Sequence, residues 1–188
     1  MNRREAISRV ALLFGGAVIG GQLFLEGCTR PATNDVAGLF DSSTIDLLGD
    51  VADTILPATK TPGAKEAGVG EFIPIMVRDT YTEEDQKTFV EGLGKLEEAA
   101  NKKYQKNFQQ LSIEERTIFL TELDIEQDEY HKNKKSEDPN HYFRMIKQLT
   151  MLGYFTSELG ATMALRYNPI PGRYDGDIPY KKGDRAWA

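Results

Sequence analysis

From Leu39 to Tyr167 the apolar residues recur at three- and four-residue steps, and no stretch shows the strict alternation of a half-buried strand. That period constrains this chain more than any other feature. Such a pattern gives helices with one buried stripe each, and a stripe can be covered only by another helix. Ser42 or Ser43 is placed to cap a first helix carrying Ile45, Leu48, Ala52 and Ile55, and Pro57 stops it. Ala58 to Gly70 holds Pro62 and several glycines and is expected to be a loop. A short apolar helix, Phe72 to Arg78, should follow, with Pro74 in its first turn.

Thr82 opens a longer helix, whose Glu83, Glu84 and Asp85 suit the positive end of the dipole. Phe89, Leu93, Leu96, Ala100 and Tyr104 form its stripe. Ser112-x-x-Glu115 is a capping box ahead of Ile118, Phe119 and Leu123. Asp138-Pro139 sets a cap residue before a proline and predicts the start of a last helix. Its apolar face is Tyr142, Phe143, Ile146, Leu149 and Leu152, continuing unevenly to Tyr167. No internal repeat is present. The expected fold is all-α, a small bundle of four or five helices.

Residues 168–188 break the pattern. Pro169, Pro171 and Pro179, with Gly172 and Gly176, exclude a helix, yet Ile170, Tyr174, Ile178, Tyr180 and Trp187 are not the residues of a solvated tail. This extended segment either folds back on the helices or lies against a partner, for which Arg173 and the aromatics are suited.

The N-terminus has a different character. Met1 to Arg9 is basic, and a glycine-interrupted apolar run follows from Val10, too short to span a bilayer. The pair Arg3-Arg4 ahead of it reads as a twin-arginine export signal. Leu25-Glu26-Gly27-Cys28 looks like a bacterial lipobox, with Cys28 as the lipidated first residue of the mature chain. The expected organisation is a signal over 1–27, a tether over 28–38, a helical domain over 39–167 and an extended tail over 168–188. Removal of 1–27 takes away Arg3, Arg4, Arg9, Glu5 and Glu26 and moves the net charge from −6 to −7. An acidic chain of this kind lacks the basic face that nucleic acid requires.

The chain carries one cysteine and two histidines, too few for a disulfide framework or a zinc finger. His131 and His141 flank a charged segment without metal-ligand spacing and read as solvated helix-end residues. Ser157 lacks the glycine two residues before it that a nucleophile elbow needs. Pro62 to Gly70 fits neither a phosphate loop nor a dinucleotide fingerprint. Adjacent acids such as Glu83-Glu84 and Glu97-Glu98 do not converge. The only polar set left for an enzyme acting alone is Glu158, Arg166 and His141.

Longer strings are more specific. Ala52-Asp53-Thr54-Ile55-Leu56-Pro57-Ala58-Thr59 leads into Thr61-Pro62-Gly63-Ala64-Lys65-Glu66-Ala67-Gly68-Val69. Much later come Leu152-Gly153-Tyr154-Phe155-Thr156-Ser157-Glu158 and Tyr167-Asn168-Pro169-Ile170-Pro171-Gly172-Arg173-Tyr174. In this order, behind a twin-arginine leader, the chain resembles the gluconate 2-dehydrogenase subunit 3 (gamma or small subunit) family, whose relatives accompany flavin sugar and glucoside 3-dehydrogenases. The resemblance is strongest over 50–75 and 150–180 and weak over 97–140. The leader departs from the family at Ala6, and a lipid anchor at Cys28 is not general to it.

The resemblance implies a non-catalytic subunit. Its partner would be a large flavoprotein of the glucose–methanol–choline family, holding FAD and oxidising the sugar, with a cytochrome c to take the electrons. The small subunit would carry that folded partner into the periplasm, and this chain would bind no cofactor or metal of its own. Pro62, Gly63, Pro169, Ile170, Pro171, Gly172, Arg173, Tyr174, Ile178 and Tyr180 are the expected partner contacts. A free-standing envelope lipoprotein with a ligand-binding or structural role is the alternative.

Overall fold

A computed structural model describes residues 40–187, apart from 171, 175 and 180. The leader and tether readings, with Arg3, Arg4 and Cys28, lie outside the described residues. Five α-helices account for most of the described chain: α1 (Ser42–Ile55), α2 (Val69–Thr80), α3 (Glu83–Tyr104), α4 (Ile113–Asn133) and α5 (Tyr142–Thr156). A 3₁₀ turn, Phe108–Gln110, joins α3 to α4, and a π turn, Gly160–Ala164, follows α5. No strand is present among the described residues, so the fold is the all-α bundle that the periodicity requires. No helix among them is long and apolar enough to cross a membrane.

Local signals place most helix ends. Thr82 and Ser112 cap α3 and α4, each accepting from the backbone N–H three residues on. Glu115 reaches back to the Ser112 N–H at 2.8 Å, which completes the capping box. The cap of α1 is Asp41 rather than Ser42 or Ser43. Its carboxylate accepts from the Thr44 N–H at 2.8 Å and from both the Ser43 and Thr44 hydroxyls. A carboxylate satisfies more donors there than a hydroxyl and also meets the helix dipole.

Other expected helix bounds need correction too. The helix placed over Phe72–Arg78 starts at Val69, behind Gly68 at φ +74°, so Pro74 falls in its second turn. A proline there costs roughly 3 kcal/mol against alanine, and burial of Pro74 between neighbouring helices offsets that cost. The last helix starts at Tyr142 with His141 as its cap, not at Asp138-Pro139. Asp138 is spent on a turn, accepting from the Lys135 N–H at 2.7 Å, and the Pro139 carbonyl accepts from the Tyr130 hydroxyl. Finally, α5 stops before Ser157 instead of running on towards Tyr167. The Ser157 hydroxyl donates to the Tyr154 carbonyl and accepts from the Gly160 N–H, a local alternative to the helix ladder.

The core lies around α5, which packs against all four other helices. Phe89, Leu96, Phe108, Phe143 and Ile146 are its most enclosed side chains, with Leu48, Val51, Ile73 and Val77 on the α1–α2 side. Two expected stripe members, Ile118 and Leu152, are exposed instead. Glycines set the closest approaches. A Cβ on Gly92 would lie 2.2 Å from the Tyr142 side chain, and one on Gly70 only 2.9 Å from the Ile45 carbonyl and 3.0 Å from Gly49. These helices therefore meet backbone to side chain and backbone to backbone, a spacing that any larger residue would prevent.

Candidate partner interface

Among the residues expected to meet a partner, Pro62 and Gly63 belong to the turn that closes α1 onto α2. Gly63 is buried, and a Cβ there would fall 2.3 Å from the Asp53 carboxylate and 2.8 Å from the Ala58 nitrogen. A partner would meet its neighbours rather than Gly63 itself. The Pro62 carbonyl accepts from the Tyr154 hydroxyl at 2.9 Å, which binds the turn to α5. Lys65, from the same glycine-containing stretch, is committed to Asp50 at 2.6 Å, and that bond holds its ammonium above its ordinary pKa. Asp50 also accepts from Gln109 and faces Arg116. This stretch is thus an internal joint.

The tail behaves differently. Pro169, Ile170, Gly172, Arg173, Tyr174 and Ile178 are all exposed, Ile170 at 82% and Tyr174 at 94%. Pro171 and Tyr180 lie outside the described residues. The C-terminal end nevertheless folds back. The Arg166 N–H donates to the Ala186 carbonyl at 2.8 Å, a parallel bridge pairs Arg166 with Trp187, and the Arg166 guanidinium lies 4.3 Å from the Trp187 ring centroid. The fold-back alternative therefore holds for the end of the chain, while the described residues between Tyr167 and Asp184 stay exposed.

A second apolar surface lies outside the expected contact residues. On α2 the face opposite the core carries Phe72, Ile75 and Met76, half-buried or exposed, so the helix is apolar on both sides. On α5 the last two turns expose Met151 and Leu152 and leave Phe155 half-buried. The two helices touch where Phe72 covers Gly153: a Cβ on that glycine would sit 2.6 Å from the ring. Beyond α5 the chain passes through exposed Met163 and Tyr167 directly into the Ile170–Ile178 segment.

The polar candidates for chemistry do not gather. His141 caps the N-terminus of α5 while Glu158 and Arg166 follow its C-terminus, about 20 Å away for a helix of that length. His141 is not a solvated residue. Its Nδ1 accepts from the Phe143 N–H, its Nε2 lies 3.5 Å from Glu126, and its ring stacks on Tyr142 with Tyr130 alongside. Burial, more than any other influence, pushes its pKa below 6.5, with Glu126 opposing that shift. Burial likewise raises the Tyr142 phenol to about 12. These groups border an open cleft of about 350 Å³ with Glu91 and Lys95 on its other wall. The Ser157 hydroxyl is held by the hydrogen bonds described above. Among the described residues no group of three His, Cys, Asp or Glu side chains is placed to hold a metal ion.

The arrangement is thus a helical scaffold with exposed apolar side chains on α2, the end of α5 and the tail, and also on α4, where Ile113, Ile118 and Ile125 are exposed. Neither curated proteins nor solved structures gave a match to the chain. The family model for gluconate 2-dehydrogenase subunit 3 matches residues 42–172, from the first residue of α1 into the exposed tail. On that match, which spans more than half of its length, the chain belongs to the gluconate 2-dehydrogenase subunit 3 family.

Proposed function

We propose that this chain is the non-catalytic small subunit of a periplasmic, FAD-dependent dehydrogenase of sugars or glucosides. Membership of a family of dehydrogenase subunits implies a catalytic partner subunit. The partner in this reading is a large flavoprotein of the glucose–methanol–choline type, which holds FAD and carries out the oxidation, and a cytochrome c takes the electrons onward. The twin-arginine leader at Arg3-Arg4 exports the folded pair, so the small subunit acts as an escort as well as a structural subunit. Lipidation of Cys28 keeps the complex at the membrane.

The observation that carries the reading is the apolar exposure of Ile75, Met151, Leu152, Ile170 and Tyr174 on a chain of this family. Side chains of this kind are stable in water only at a cost that a partner surface removes. Co-expression with a glucose–methanol–choline-type flavoprotein from the same genome tests it. The two should co-purify from the periplasm, and removal of residues 1–27 should leave the complex assembled but cytoplasmic. Normal export of the flavoprotein without this chain would refute the escort role.

A further inference from the structure

We propose that Arg185 and Trp187 form a clasp that preorganises the 167–184 loop for the catalytic subunit, and that they are positioning residues for that contact. This inference rests on the function proposed above.

The clasp is built on the end of the helical domain. After the π turn the carbonyls of Thr162 and Met163 are at the end of their helical segment and need donors from elsewhere. Arg185 supplies them through Nη1, at 3.3 Å to Thr162 and 2.8 Å to Met163. A cation at that place also meets the negative end of the segment. One residue further on, the Ala186 carbonyl accepts from the Arg166 N–H, and Trp187 covers the Arg166 guanidinium. The Arg166 Nε is buried without a hydrogen-bond partner, so the face of the indole is the compensation it receives.

Among its described residues the segment between these contacts has no helix or strand, and every one of them is exposed. Tyr167, Ile170, Tyr174 and Ile178 are spaced along it. With the clasp closed, both ends of this loop are fixed to the same turn. With the clasp open, the last twenty residues become a free chain end, whose ordering on a partner carries the full conformational cost. The clasp therefore acts on the partner contact without touching the partner.

The test uses the full chain, free and with the co-expressed flavoprotein. In the free subunit, Trp187→Ala and Arg185→Ala should raise amide hydrogen exchange at Arg166, whose N–H is bonded across the clasp, while leaving exchange in α1 to α5 unchanged. In the binding assay the same variants should weaken the complex about tenfold, mainly through slower association. Trp187→Phe, which keeps an aromatic face, should recover most of both effects. Tyr174→Ala is the contact control and should weaken binding without altering exchange. Unchanged exchange in Trp187→Ala would overturn the clasp, and raised exchange with unchanged binding would overturn its positioning role. Absence of binding by the unaltered chain would refute the proposed function and the positioning role together, whatever the exchange shows.

Discussion

The Tyr154 hydroxyl donates to the Pro62 carbonyl at 2.9 Å, joining residues 92 apart in the chain. Phe72 and Gly153 meet beside the same joint. The two stretches that carry the family resemblance, around residues 50–75 and after 150, are therefore packed on one another. Their residues first build the α1–α2 turn and its seat on α5, and through it they present the apolar face of α2.

Tyr154→Phe removes that hydrogen bond and leaves the half-buried Pro62 carbonyl without it. The expected loss of stability is about 1 kcal/mol, read as a lower urea midpoint with an unchanged slope. Hydrogen exchange should rise in residues 57–68, and binding of the flavoprotein should be retained.

The glycines of the helix contacts separate packing from propensity. Gly70→Ala forces a methyl against the Ile45 carbonyl and Gly49, backbone that cannot turn aside, and should cost about 1–3 kcal/mol. Gly94→Ala, on the same bundle, has nothing within 4 Å and should stabilise α3 by about 0.5–1 kcal/mol. Thermal melts of the two variants should move in opposite directions.

His141 links stability to pH. Its folded pKa lies below the ordinary 6.5 because burial disfavours the imidazolium, so the unfolded chain takes up the proton first. The stability it contributes is full above pH 6.5 and declines as pH falls towards the depressed folded value. Protonation of Nδ1 also removes the acceptor for the Phe143 N–H. His141→Asn keeps a cap and should flatten stability across this range. Glu97, which burial holds above its ordinary pKa, works in the opposite sense at lower pH. The difference between the two proteins is therefore the readout.

Ile75→Glu and Leu152→Glu should leave melting almost unchanged, since both side chains already face water. Recovery of the flavoprotein with this chain should drop about tenfold or more. Ile118→Glu on α4, at a side chain more exposed than either, should recover it normally. Equal losses from all three would mean that general surface apolarity, not this face, holds the partner.

Much of this was written locally. The stop at Pro57 and the caps at Thr82 and Ser112 follow from residues within one turn of each other, and the structure keeps them. The Asp138-Pro139 start fails because the same residues also suit a turn, and contacts from Tyr130 and Lys135 select it. Ile118 and Leu152 follow the helical period but stand at the edges of their stripes, where neighbouring helices decide what is covered. Tail residues such as Ile170 and Tyr174 were legible as interface candidates because apolar side chains on a proline-broken segment need a surface. The α2 face was missed because Phe72, Ile75 and Met76 fit a buried helix as well as a two-sided one.

The sequence by itself determined an all-α chain, the family it belongs to and the places where most helices begin, because periodicity and capping act over three or four residues. Only the tertiary structure decided that Gly70, Gly92 and Gly153 are contact points, that His141 is enclosed and that Trp187 returns to Arg166. Those outcomes depend on atoms brought together from distant parts of the chain, and close packing leaves room for only one arrangement of them.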